Sequence, residues 1–223
     1  MLKFDFVFDV PNKTSYRAIG QFDNNSRLAI LGPSGCGKST FLKNLVGILP
    51  KRSGECTWQN QILDKQQLEL GILGFCFQSS PLFTHLTVLE NLIVPLESLK
   101  KFRRISPELM AQKALALLDQ AKLSNLALRF PSDLSGGEKK RISLLRSLIF
   151  KAPLLILDEP FSDLDRDNRK LFKNWLQQIL TSHQGVLLFV THHESDIHDL
   201  ANLRFDWPQN KENLLDFSKA QKI

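Results

Sequence analysis

The eight residues Gly32-Pro33-Ser34-Gly35-Cys36-Gly37-Lys38-Ser39 constrain this chain more than any other stretch. They fit G-x-x-x-x-G-K-[ST], a loop whose backbone amides cradle phosphate. The run Leu28-Ala29-Ile30-Leu31 leads in as a strand, and Thr40-Phe41-Leu42-Lys43-Asn44-Leu45-Val46 leads out as a helix. The motif needs that context. Its glycines let N–H groups close around phosphate oxygens, and the helix N-terminus adds partial positive charge. There Lys38 is placed to reach the β- and γ-phosphates of a nucleotide, and Ser39 to put its hydroxyl on Mg²⁺.

A second motif, Leu134-Ser135-Gly136-Gly137-Glu138-Lys139-Lys140-Arg141, precedes an amphipathic stretch. Ser135 is a natural N-cap, and the glycines leave the first amides of a helix uncovered, which makes an anion site. Taken alone, this stretch reads as an ordinary capped helix. Further on, Leu154-Leu155-Ile156-Leu157-Asp158-Glu159-Pro160 runs four apolar residues into two acids. This describes a buried parallel strand ending at an active-site edge. Asp158 suits the shell of a Mg²⁺ ion, and Glu159, one position on, can polarise an attacking water.

Residues 32–39, Gln78, 134–141, 154–160, Ser162-Asp163-Leu164-Asp165 and Val190-Thr191-His192 occur in the order found in ATP-binding-cassette ATPases, and over about residues 25–205 the chain resembles that family. The glycine-rich loop is shared with many families, whereas L-S-G-G-E is nearly private to this one. The resemblance implies an α/β fold, a P-loop NTPase with a RecA-like core sheet and an inserted helical subdomain. It implies a single domain over 1–223, with the core at about 1–79 and 141–223 and the helical part at about 80–140. The activity implied is ATP hydrolysis with Mg²⁺ that energises a membrane transporter.

The resemblance also distributes roles. Gly32, Pro33, Ser34, Gly35, Cys36, Gly37, Lys38, Ser39 and Thr40 hold the nucleotide phosphates. Ser39, Gln78 and Asp158 serve Mg²⁺, and Gln78 links core to helical subdomain. Glu159, His192 and Lys38 are the catalytic set, His192 orienting Glu159 and the water. Ser135, Gly136, Gly137 and Glu138 close over the γ-phosphate held by a second copy of the chain, and Asp165 contacts that copy. The implied partners are that second cassette, transmembrane permease subunits and, through the complex, a solute-binding protein. His193 is expected to point away from His192, because successive residues leaving a strand alternate.

The family stacks adenine on an aromatic residue some twenty positions before the loop. Here that neighbourhood reads Phe8-Asp9-Val10-Pro11-Asn12, with Tyr16 further on. Phe4, Phe6 and Phe8 recur at period two, so Phe8 equally suits a strand core, and the base contact stays open.

Composition adds bounds. The chain has 223 residues, enough for one α/β domain with a sizeable core. No run of about 18 apolar residues occurs, and the start lacks the apolar core of a signal peptide, so a cytoplasmic location is expected; the family resemblance implies a place at the cytoplasmic face of the membrane, held there by the permease. Cys36, Cys56 and Cys76 lack metal-ligand spacing. The net charge is +6, but basic residues are scattered. Short clusters such as Lys100-Lys101-Phe102-Arg103-Arg104 read mainly as solvated surface, with proximity to anionic lipid heads as the second reading, and no nucleic-acid partner is expected. After Trp207-Pro208 the chain turns polar, and no regulatory domain is expected beyond it.

Periodicity sketches the rest. Strands are expected over 2–8, 27–31, 71–77, 154–157 and 186–190. Helices are expected to start near Ser39, Ser106, Gly137 and Arg166, with Ser106-Pro107-Glu108 a strong start signal. Leu171, Trp175 and Ile179, flanked by Phe172 and Leu176, are expected in the core. Phe83 is the candidate anchor for a permease helix, with a core role as the competing reading. The segment Leu82-Phe83-Thr84-His85-Leu86-Thr87-Val88-Leu89-Glu90-Asn91 resembles cassette subunits of bacterial small-solute importers, which makes such an importer the expected system, with an exporter or a lipoprotein-releasing complex as the closest rivals. A soluble cassette ATPase normally carries two cassettes or coiled-coil arms, and residues 134–141 argue against a small-molecule kinase.

Overall fold

Alternation shapes the first element: β1 (Leu2–Asp9) buries Leu2, Phe4, Phe6 and Phe8 and leaves the residues between them partly exposed, as a strand with one covered face must. A computed structural model describes residues 1–11, 14–79, 81–99, 102, 104–162, 164–208 and 213–223. Asn12, Lys100, Lys101, Arg103 and Asp163 lie outside the described residues, as does the polar stretch 209–212. The other elements, in chain order, are β2 (Ser15–Phe22), β3 (Arg27–Leu31), α1 (Lys38–Leu45), β4 (Ser53–Trp58), β5 (Gln61–Ile62), α2 (Lys65–Glu69), β6 (Leu73–Cys76), α3 (Val88–Ser98), α4 (Pro107–Gln120), α5 (Gly136–Leu148), β7 (Leu154–Asp158), α6 (Arg166–Thr181), β8 (Val186–Thr191), α7 (Ile197–Leu200), β9 (Leu203–Asp206), β10 (Leu214–Asp216) and β11 (Gln221–Lys222).

The chain divides into two compact units, Met1–Leu68 with Gln184–Ile223, and Glu69–His183. In the first, β10-β2-β1-β4-β5 form a sheet that is antiparallel except where β10 joins β2. Its apolar face meets α1 through Phe41, which lies 5.9 Å from Phe6 in a stacked pair and 4.8 Å from Phe217. Each such fully buried side chain is worth about 1.5–3 kcal/mol. The same unit holds the order β11-β9-β3-β8, with β3 parallel to both neighbours. Every residue of β8 is buried, the apolar run that a parallel strand covered on both faces requires.

In the second unit β6 and β7 are parallel, with Cys76 opposite Leu157. α5 lies hard against β6. A Cβ added at Gly74 would strike the Ser147 carbonyl, so only glycine lets the helix approach so closely. Three further helices start where capping chemistry places them. Thr87 and Glu90 form a capping box on α3, Ser106 caps α4 with Pro107 in its first turn, and Asp165 caps α6. This unit takes in β6 and β7 as well as the segment 80–140 that the sequence marks as helical.

The core face of α6 differs from the expected one. Phe172, Trp175, Leu176 and Leu180 are buried, whereas Leu171 is 62% exposed. The buried stripe centres near 172 and 176, and at roughly 100° per residue Leu171 falls off its edge. Among the described residues, no helix is long and apolar enough to cross a membrane.

Candidate functional site

The loop 32–39 joins β3 to α1. Gly37 is the N-cap of α1 with φ 120°, and no side chain caps the helix. A Cβ at Gly37 would come within 2.9 Å of Val10 Cγ2 and 3.3 Å of Trp207 Cζ2. Glycine is thus required for both its backbone angle and its space. The uncapped helix start keeps its first amides for a ligand, and a phosphate there meets N–H donors and the positive end of the helix. Lys38 is buried, and its Nζ donates to the carbonyls of Gly32 at 2.7 Å and Pro33 at 2.9 Å, with Cys36 Sγ at 3.7 Å. The ammonium is thereby held inside the curve of the loop, where phosphate oxygens compete for it. Ser39 and Thr40, both half-buried, occupy the first turn of α1.

His192 leaves the end of β8, and β8 runs parallel to β3 with Thr191 opposite Leu31. The glycine-rich loop and His192 therefore emerge side by side from the carboxyl ends of neighbouring strands, where open α/β sheets bind ligands. His193 does not diverge from His192, contrary to the alternation expected. The two rings lie 4.0 Å apart, His192 exposed and His193 half-buried. The cause is a turn at the strand end. The His193 amide donates to Thr191 Oγ1 at 3.1 Å, and that hydroxyl donates to the buried Asp196 at 2.8 Å.

In the other unit, β7 ends at Asp158, which is 1% exposed, and Glu159 follows with φ 46°. Left-handed backbone is uncommon for glutamate and turns its side chain off the strand path. A short turn holds it, since Ser162 donates to the Glu159 carbonyl from its amide at 3.1 Å and its hydroxyl at 3.0 Å. Gln78, two residues beyond the end of β6, places its side-chain amide 3.5 Å from Glu159 Oε2. The parallel β6–β7 pair brings these two together.

Ser135 is the N-cap of α5 in a full capping box with Glu138. Its amide and hydroxyl both donate to Glu138 Oε2 at 2.8 Å, and the Glu138 amide donates back to Ser135 Oγ at 3.3 Å. These bonds, the backbone one first, hold the Glu138 carboxyl below its usual range. Gly136 is exposed, and a Cβ there would meet open space. Asp165 is exposed and accepts from the Asn168 side chain at 2.6 Å and backbone at 2.9 Å, which lower its pKa. Phe83 is 44% exposed, with the Arg146 guanidinium 5.6 Å from its ring centre.

The family model described as ABC transporter matches residues 19–162. This chain belongs to that family. It is 36% identical over 182 residues to the sulfate/thiosulfate import ATP-binding protein CysA of Vibrio vulnificus, covering 82% of this chain and 53% of that protein. It is 38% identical over 183 residues to the protein of the same description from Mannheimia succiniciproducens, covering 82% of this chain and 51% of that one. The chain thus spans about half the length of the curated relatives it matches. Its fold is similar to that of the ATP-binding cassette MJ0796, solved as a dimeric post-hydrolysis state bound to ADP and Pi. The TM-score is 0.82 at 24% identity, covering 100% of this chain and 98% of that one.

For an ABC transporter chain, two aromatic residues near the loop are informative. Phe8 is fully buried between Phe6 and Phe41 and belongs to the core. Tyr16 is half-buried, stacked on Phe8 and edge-on to Trp207 at 5.8 Å. The place of Trp207 beside Gly37 was not legible in the sequence, where 170 residues separate them.

Proposed function

We propose that this chain is the ATP-binding and ATP-hydrolysing subunit of a membrane ABC transporter that imports a small solute. The observation that carries the reading is the parallel β3–β8 register, which sets the Lys38 loop and His192 at one strand edge. Lys38, the amides of 32–40 and the uncapped start of α1 bind the phosphates. Tyr16 is the aromatic ring we set against the adenine. Glu159 accepts the proton of the attacking water, Gln78 orients Glu159, and His192 donates to the γ-phosphate. Ser39 Oγ, the Asp158 carboxylate and the Gln78 amide oxygen are hard oxygen donors of the kind Mg²⁺ takes. When bound, Mg²⁺ neutralises developing phosphate charge.

Two copies act together. The exposed start of α5, with Ser135, Gly136, Gly137 and Glu138, closes over the nucleotide of the other copy, and Asp165 meets that copy near its phosphate loop. ATP joins the pair and loss of the γ-phosphate releases it. Transmembrane permease subunits convert that cycle into transport and hold the chain at the cytoplasmic face of the membrane, and a solute-binding protein delivers cargo through the complex. The relatives are sulfate/thiosulfate import ATP-binding proteins, which makes sulfate and thiosulfate the first solutes to try.

The test is ATP hydrolysis by the purified chain, with Glu159→Gln as control. Hydrolysis that is Mg²⁺-dependent and lost in the variant supports the reading. A chain that binds no ATP, or a variant as active as wild type, overturns it.

A further inference from the structure

Lys140 is a cation buried to 1% exposure on α5. Its Nζ donates to the Gln78 carbonyl at 2.9 Å and to the Phe77 carbonyl at 3.3 Å. Ladder pairing of β6 ends at Cys76, so the next two carbonyls need donors from elsewhere. An apolar side chain would fill this place without the cost of burying a charge. What lysine adds is a hydrogen-bond donor on a long stem, aimed at the backbone of the residue whose side chain reaches Glu159.

A second cation of the same helix continues the pattern. Arg146 donates to the Pro81 carbonyl at 2.5 Å and lies over the Phe83 ring. α5 thus grips the stretch from Phe77 to Phe83 at both ends, and the same helix begins at Ser135.

We propose that Lys140 is a positioning residue for hydrolysis, holding the Gln78 backbone so that the Gln78 side chain keeps Glu159 aimed, and tying that pair to the helix that starts at Ser135. The proposal rests on the roles given above to Gln78 and Glu159. Lys140 touches neither nucleotide nor water in this account and acts through Gln78. Misplacing a catalytic group by about an ångström costs on the order of 100-fold in rate.

The experiment is steady-state ATP hydrolysis by the full chain carrying Lys140→Met, Lys140→Arg, Gln78→Ala and the pair Lys140→Met with Gln78→Ala. Lys140→Met should keep the circular dichroism of wild type and bind ATP within about threefold, because the loop 32–40 is untouched, while kcat falls roughly 10- to 100-fold. Lys140→Arg, which keeps charge and donors, should recover most of that loss. In the Gln78→Ala background the same Lys140→Met change should alter kcat less than about threefold, the signature of two residues acting as one. Equal losses in both backgrounds overturn the proposal, as does an unchanged kcat. A Lys140→Met chain that does not fold also overturns it, since Lys140 is then a cation that holds the fold. A wild-type chain without turnover, or an active Glu159→Gln variant, fails differently: it sinks the functional reading on which the proposal stands.

Discussion

Leu31 and Thr191 stand opposite one another at the last shared rung of β3 and β8. The next residues along the two strands are Gly32 and His192. One parallel pairing therefore delivers a phosphate-binding loop and an imidazole to the same edge from positions 160 residues apart in sequence. Both strands are buried almost throughout, so packing on both of their faces holds this rung in place.

Lys38→Ala should weaken ATP binding at least tenfold, since the ammonium is the charged side chain aimed into the loop. The substitution also removes two bonds to the Gly32 and Pro33 carbonyls, but Gly32 is half-buried and Pro33 exposed, so water can take the donor's place. Calorimetric titration with ATP checks the first point and thermal unfolding the second. ATP affinity equal to wild type contradicts the assignment.

Glu159→Gln should lower hydrolysis by about 10²–10⁴ while leaving ATP bound. The unhydrolysed nucleotide should then hold two copies together, which size-exclusion chromatography with Mg-ATP reads as a doubled mass. A variant that binds ATP and stays monomeric argues against the two-copy cycle.

His192→Ala should abolish most turnover with little loss of ATP affinity. His193→Ala should leave turnover within about threefold, because the half-buried His193 is fastened to the turn by its backbone amide, which alanine retains. Steady-state kinetics on the two variants decide between them; the reverse pattern gives the role to His193.

The capping box on α5 predicts a pH effect. Glu138 has its carboxyl pKa lowered by bonds from Ser135, backbone first. A carboxyl with a depressed folded pKa contributes stability above its unfolded value near 4.5, and that contribution disappears as pH falls through the folded value. Glu138→Ala should thus unfold earlier than wild type at pH 7, and the gap in melting temperature should shrink as pH falls below 4.5. Ser135→Ala should cost about 1 kcal/mol at neutral pH. A gap for Glu138→Ala that does not change on acidification shows that the carboxylate is not its source.

Phe83 is exposed, so Phe83→Ala should keep the melting temperature within a few degrees and leave isolated ATP hydrolysis unchanged. Co-purification with the permease should weaken, as removal of an aromatic anchor does at an interface. Retained permease binding at wild-type strength moves the docking surface elsewhere.

Much of this was legible in the sequence because the information is local. The loop at 32–39 declares itself through glycines, a lysine and the apolar run before it. α4, α5 and α6 begin at Ser106, Ser135 and Asp165 because capping is decided within four residues. The strands β2, β4 and β9 were harder to see. Ser15–Phe22 and Ser53–Trp58 mix polar and apolar residues, and only their pairing with β1 makes them strands. Leu203–Asp206 is too short to show a period and is defined by its place beside β3.

The sequence alone determined the chemistry on offer: a phosphate loop, a strand ending in two acids, a capped glycine pair and a histidine after an apolar run. It did so because each feature is written in adjacent residues. Tertiary structure alone decided which of them meet. The Leu31–Thr191 rung sets His192 beside the loop, and the β6–β7 pair sets Gln78 against Glu159. Lys140 shows the same division. In the sequence it is one of three basic residues in a row, and it becomes a buried donor to Gln78 only because Gly74 lets α5 come so close to β6. Contacts between residues dozens of positions apart depend on packing distance, which sequence spacing does not encode.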